Sequence, residues 1–149
     1  MKKKFFLIKI IILLIISSSN LFAEKLEFFE AGKALFEKKN FMKSKFFFEK
    51  DIAFNPKSEK SYLYLAKIYF EKENEKEEEV NLNNVILLNP QNDEALYMLT
   101  LLKIKQSDYN KAKSLIENFN IVCKSFCKKK IEIEKKFNKL IPENAQDKN

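Results

Sequence analysis

The chain has 149 residues, 46% of them hydrophobic and 33% charged, a balance that suits one small folded domain and excludes wholesale disorder. One Gly and three Pro are too few turn formers for an all-β fold with frequent hairpins. The formal charge is +7, every basic residue is Lys, and the absence of His rules out Ser–His and Cys–His nucleophile pairs.

The chain opens on Met1-Lys2-Lys3-Lys4, followed by residues 5–16, apolar except for Lys9. A polar stretch from Ser17 to Asn20 then leads to Leu21-Phe22-Ala23, which offers a small residue at a cleavage point. This pattern predicts an export signal over residues 1–23. The apolar run is shorter than the ~20 residues a spanning helix needs. Leu21 and Phe22 lengthen it, so an uncleaved anchor through residues 5–22 stands as the alternative. No Cys lies near its end, which excludes a lipidated N-terminus of the bacterial lipoprotein kind. Cleavage after Ala23 would leave 24 Lys against 21 acids, so most of the apparent basicity belongs to the signal. The expected location is exported, periplasmic or secreted, or anchored at a membrane by the retained segment.

From residue 25 onward the chain repeats itself every 34 residues. Asn55-Pro56 returns as Asn89-Pro90, Phe28 as Tyr62 and Leu96, Ala31 as Leu65 and Leu99, Gly32 as Ala66 and Thr100, and Phe48 as Leu82 and Ile116. Three units fit without gaps: 25–58, 59–92 and 93–126. A fixed period of this length marks a helical repeat array. In the first unit Phe28, Ala31, Gly32 and Leu35 form one helical stripe, Lys39-Asn40 the turn, and Phe41, Ser44, Phe48 and Ile52 a second stripe. Pro56 stops that helix, because it has no N–H to donate and constrains Asn55. The second unit repeats this with a turn near Asn74, and the third with a turn at Ser107-Asp108. Gly32, Ala66, Ser44 and Ala112 are small where paired helices cross closely. Residues 127–141, with Ile131, Phe137, Leu140 and Ile141 among Lys and Glu, are expected to form an amphipathic helix that caps the stack. Residues 142–149 are expected to be a polar, disordered tail.

These residues resemble the tetratricopeptide repeat family from about Lys25 to Phe126. Phe28, Ala31, Gly32, Leu35, Phe41, Ser44, Phe48 and Pro56 match its pattern in the first unit, Tyr62, Leu65, Ala66, Tyr69 and Pro90 in the second, and Leu99, Tyr109 and Ala112 in the third. Glu75, Glu78 and Asp51 depart from it, as do Thr100 and Lys103. Glu78 stands where a small residue is asked for, so the start of the second unit's second helix is expected to be loose, shifted or partly exposed. The third unit lacks Pro near Lys124, so its second helix is expected to run on or bend.

The resemblance implies an all-α fold of three stacked helix-turn-helix repeats in a right-handed superhelix, its inner groove lined by the first helix of each pair. Carried over by position, that groove takes Phe29, Glu30, Lys33 and Phe36, then Leu63, Tyr64, Lys67 and Phe70, then Tyr97, Met98, Leu101 and Ile104. It is apolar, and two readings stand: a groove for a partner peptide or helix, or side chains that belong in part to the core. The family's chaperone-tail binders hold a carboxylate with Lys and Asn. Those places here are Phe29, Lys33, Tyr64, Glu94 and Met98, which argues against that mode.

No enzyme activity is expected, and neither cofactor nor metal: one Gly makes no phosphate loop, and two Cys without His fill no zinc site. Cys123 and Cys127, four apart, read as two small buried residues, as a disulfide, or as a redox or metal pair. The acidic run 71–79 and the basic run 124–139 read as solvated faces. The basic run lacks Arg and interleaved aromatics, so no nucleic acid is expected, and no small-molecule substrate. The expected function is a non-catalytic protein-binding scaffold of the cell envelope. The alternatives are a membrane-tethered structural element, through the N-terminus or peripheral attraction to anionic lipid, and a minor subunit of an outer-membrane assembly complex.

Overall fold

A computed structural model describes residues 27–140, and every regular element among them is helical. The order is α1 (27–37), α2 (Phe41–Phe54), α3 (Glu59–Glu71), α4 (Glu75–Leu88), α5 (Asp93–Lys105), α6 (Tyr109–Val122), a 3-10 turn (Cys127–Lys129) and α7 (Lys130–Leu140). The expected signal or anchor, Ile141 and the expected tail lie outside the described residues. The chain divides after Ser61 into two compact units.

The turn inside each helix pair is built the same way three times. Lys39, Glu73 and Ser107, 34 residues apart, take φ of 57°, 54° and 59°, the left-handed conformation that ends a helix. The next amide reaches back to the last turn of the finished helix: Asn40 N to Leu35 O and Asn74 N to Tyr69 O at 2.9 Å, and Asp108 N to Lys103 O at 2.9 Å. That same residue then caps the following helix. The Asn40, Asn74 and Asp108 side chains accept from Lys43 N, Glu77 N and Lys111 N.

In the first unit α1 and α2 meet at a close crossing. Ser44 Oγ donates to Gly32 O at 2.8 Å, and a Cβ built on Gly32 would lie 2.8 Å from Phe48 Cε1. Phe48 is fully buried, and Phe28 stacks on Phe54 with ring centroids 5.5 Å apart. Asp51 is buried yet satisfied: its Oδ2 accepts from the Ser58 and Ser61 hydroxyls, at the start of α3. The carboxylate thus fixes the entry into α3, where the repeat pattern expects an apolar small residue.

In the second unit α5 is central, packed against α4, α6 and α7. Its Leu96, Leu99 and Leu102 join Ala66, Leu82, Val85, Ala112, Leu115, Phe119 and Ile133 in one core. Thr100 is buried there without an orphaned hydroxyl, since Oγ1 donates to Leu96 O at 2.7 Å. The expected loosening of α4 is not found. Glu75 starts it in register with Phe41 and Tyr109, and two of the polar departures from the repeat, Glu75 and Lys103, belong to one charge network. Glu75 pairs with Lys105 at 2.7 Å, and Glu79 with the buried Lys103 at 2.5 Å. Gln106 bridges them, accepting from Lys103 and donating to Glu75. Acids at the start of α4 and Lys at the end of α5 also suit the two helix dipoles. Part of the acidic run is therefore interhelical rather than a solvated face.

Nor does α6 run on. It stops at Val122, in register with Phe54 and Leu88, although Lys124 replaces the Pro. A different device closes it. Cys123 and Cys127 are joined as a disulfide with Cα atoms 5.2 Å apart. The amides of Lys124, Ser125 and Phe126 between them all donate to Asp93 Oδ2, at 2.7, 2.6 and 2.9 Å. Partial burial works against the Asp93 charge, and these amides outweigh it, holding the carboxyl below its usual range.

The residues that seat α7 also differ from expectation. Ile131 is 78% exposed, while Ile133 is fully buried in the core and Phe137 packs at its edge against Tyr109. Ile133 follows Leu99 by one period and Leu65 by two, and Phe137 follows Lys103 and Tyr69 in the same way, so α7 occupies the register of a fourth first helix.

Two outcomes follow for stability. Gly32→Leu should lower the melting temperature, losing about 1–3 kcal/mol, because the buried Phe48 ring leaves no room for a side chain; an unchanged midpoint would contradict the crossing. Glu78, at the place of Ser44 and Ala112, is 4% exposed. Burial, opposed by Lys105 and reinforced by Glu75, raises its carboxyl to about 7. A raised carboxyl makes the folded state hold its proton more tightly, so stability is greatest below the unfolded value of about 4.5 and falls as pH rises to about 7. Glu78→Gln should flatten that fall and raise stability at pH 8 by about 2–3 kcal/mol, read as denaturation midpoints at pH 5 and pH 8.

Candidate partner-binding face

The first helices carry the residues expected to line a groove, and the structure sorts them. In the first unit Phe29 packs its ring 5.8 Å from Phe48, and Phe36 packs 5.4 Å from Phe41. Both are half-buried, as is Lys33.

In the second unit α3, α5 and α7 are tied side by side. Lys67 of α3 pairs with Glu94 of α5 at 2.8 Å. Tyr97 of α5 donates its hydroxyl to Glu132 of α7 at 3.2 Å. Lys129 and Lys136 also engage Glu132, and hydrogen bonds from these two ammonium groups hold its carboxyl down at about 2. Equivalent positions on the three helices therefore form a row.

Within that row, Leu63 and Ile104 are buried in the core and offer no binding surface, which corrects their placement in the groove. Tyr97 is also spoken for. Its ring lies 6.5 Å from Phe119 and 5.7 Å from Phe126, with Lys129 Nζ 5.5 Å from its centroid. The segment after α6 folds back over it, a tertiary event that single-helix periodicity does not reveal. Tyr64, beneath Lys67 Nζ at 5.0 Å, remains half-buried, as do Met98 and Leu101.

Phe70, 57% exposed, is the most accessible aromatic of the row. Its equivalent Phe36 rests on Phe41, but the place of Phe41 is taken by Glu75, which is drawn toward Lys105. The charge network thus leaves Phe70 uncovered. Ile131, at the position of Leu63 and Tyr97, adds a second exposed apolar side chain that the three-unit reading missed. One further step of 34 from Tyr97 would have found it.

No group of His, Cys, Asp and Glu that could hold a metal occurs among the described residues. No described helix is long and apolar enough to cross a membrane.

No protein-family model matches the chain, and no curated protein matches it. Solved structures do. The first TPR domain of Spaghetti (RPAP3), bound to the HSP90 peptide SRMEEVD, is 17% identical with a TM-score of 0.69, covering 78% of this chain and 92% of its own. The Arabidopsis OM64 TPR domain is 19% identical with a TM-score of 0.70, covering 78% and 96%. The Sgt2 TPR domain from Aspergillus fumigatus is 16% identical with a TM-score of 0.66, covering 78% and 80%. At such identities the likeness is one of backbone, and the fold it establishes is that of a TPR domain.

Proposed function

We propose that the protein is a non-catalytic scaffold that binds a peptide or helix of another protein along the row of first helices in its second unit. The carrying observation is Phe70: a large aromatic left exposed on α3, in a row of first helices that also carries the half-buried Tyr64, Met98 and Leu101, on a fold whose neighbour from Spaghetti holds a peptide. Exposed aromatic and aliphatic anchors flanked by half-buried neighbours are the usual energetic centre of such an interface. Capture of a terminal carboxylate is disfavoured, because Glu94 sits in the row and Lys67 is already paired with it.

The test is selection from a random-dodecapeptide display library on the oxidised chain from residue 24 onward. Phe70→Ala and Leu101→Ala should each weaken the selected peptides by about 1–2 kcal/mol with the helical signal intact. Tyr97→Ala should act differently, lowering the melting temperature through lost ring packing worth about 2–4 kcal/mol. If Phe70→Ala binds as well as the parent chain, the row is not the binding face.

The reading extends to an envelope role on the strength of residues 1–23. Mass spectrometry of the mature protein should find a chain beginning at Glu24. Retention of Met1 in a membrane fraction would favour the tethered structural element instead.

A further inference from the structure

We infer that α7 does more than cover the end of the core: its exposed stripe selects a partner segment carrying acidic side chains. This rests on the scaffold reading above and names the chemistry of the partner. Ile131, Lys135 and Lys139 of α7 are exposed and recur at helical spacing over about 12 Å at 1.5 Å per residue, and the exposed Lys128 of the preceding 3-10 turn stands three residues before Ile131. Ile131 stands in the row position of Leu63 and Tyr97, so the stripe lies on the third helix of the binding row. Its charge is not cancelled from within. Glu132 is turned to α5, held by Tyr97, Lys129 and Lys136. Glu134, exposed and flanking the stripe, is the one other acid of the helix. Lys130, on the far side from Lys128, donates to Asn120 O at 3.1 Å and belongs to the α6 junction.

An apolar side chain bracketed by three Lys fits an acidic amphipathic segment: an aliphatic or aromatic residue against Ile131, with Asp or Glu toward the Lys. Continuity with Tyr64, Met98, Leu101 and Phe70 favours a peptide over a lipid surface, because a single exposed Ile gives a bilayer little to hold.

The same display selection reads this out. Peptides selected on the parent chain should be enriched in Asp and Glu. A variant carrying Lys128→Gln, Lys135→Gln and Lys139→Gln should lose that enrichment and bind a synthesised parent-selected peptide about tenfold more weakly at low salt. The single change Lys135→Glu, exposed and remote from the core, should shift selection toward Lys-containing peptides. Apolar peptides selected equally on parent and variant, without acidic bias, would overturn the role of α7 while leaving the scaffold intact. No selected peptide at all would overturn both. Lys-dependent cosedimentation with phosphatidylglycerol vesicles, not with phosphatidylcholine, and no acidic peptides, would replace the peptide by a lipid surface and overturn the proposal.

Discussion

The structure depends on one backbone constraint, the reversal of the chain through a single left-handed residue at Lys39, Glu73 and Ser107. Each reversal turns the chain back after the helix just finished and supplies the next helix's cap from the following Asn or Asp. Left-handed φ disfavours a side chain by roughly 1–2 kcal/mol, yet none of the three residues is Gly. The strain is offset locally by the amide bonds back to the preceding turn and by the caps at Asn40, Asn74 and Asp108. Because all three turns are alike, small differences between units arise from side chains alone.

Those differences are concentrated at charged positions. Taken one at a time, Glu75, Glu78 and Lys103 look like defects in a repeat. Three-dimensionally they lie where α4 begins and α5 ends, and Glu75 and Lys103 are paired with Lys105 and Glu79. Glu78 remains the costly member: it occupies a small-residue place, has no room to reach water, and so prefers its proton near neutral pH. The same substitution of Glu75 for an aromatic exposes Phe70. A packing departure and a binding feature thus have one cause.

At the far end the chain exchanges one stop signal for another. Where two units use Asn-Pro, the third uses Cys123, the disulfide to Cys127, and three amides turned onto Asp93. This short closed turn carries Phe126 over Tyr97 and delivers α7 in the register of another first helix. Apart from Ile131, its exposed side is polar, mostly Lys and Glu, as an array needs where no further pair follows it in the described chain.

The sequence alone determined the class of fold, the 34-residue period, the turn positions and the close crossing at Gly32, because these depend on local backbone preference and on periodic placement of small and large side chains. It also identified most of the first-helix positions. Which of them are surface was decided only by tertiary structure. Leu63 and Tyr97 share a repeat position, yet Leu63 belongs to the core and Tyr97 lies beneath the segment after α6. The choice of Ile133 over Ile131 as the buried residue of α7 was likewise a matter of packing, since helical spacing among Lys and Glu admits either. Spacing four apart allowed Cys123 and Cys127 several fates. Their joining became definite where the end of α6 brings their Cα atoms within reach and Asp93 gathers the amides between them, an arrangement of residues some thirty apart in the chain.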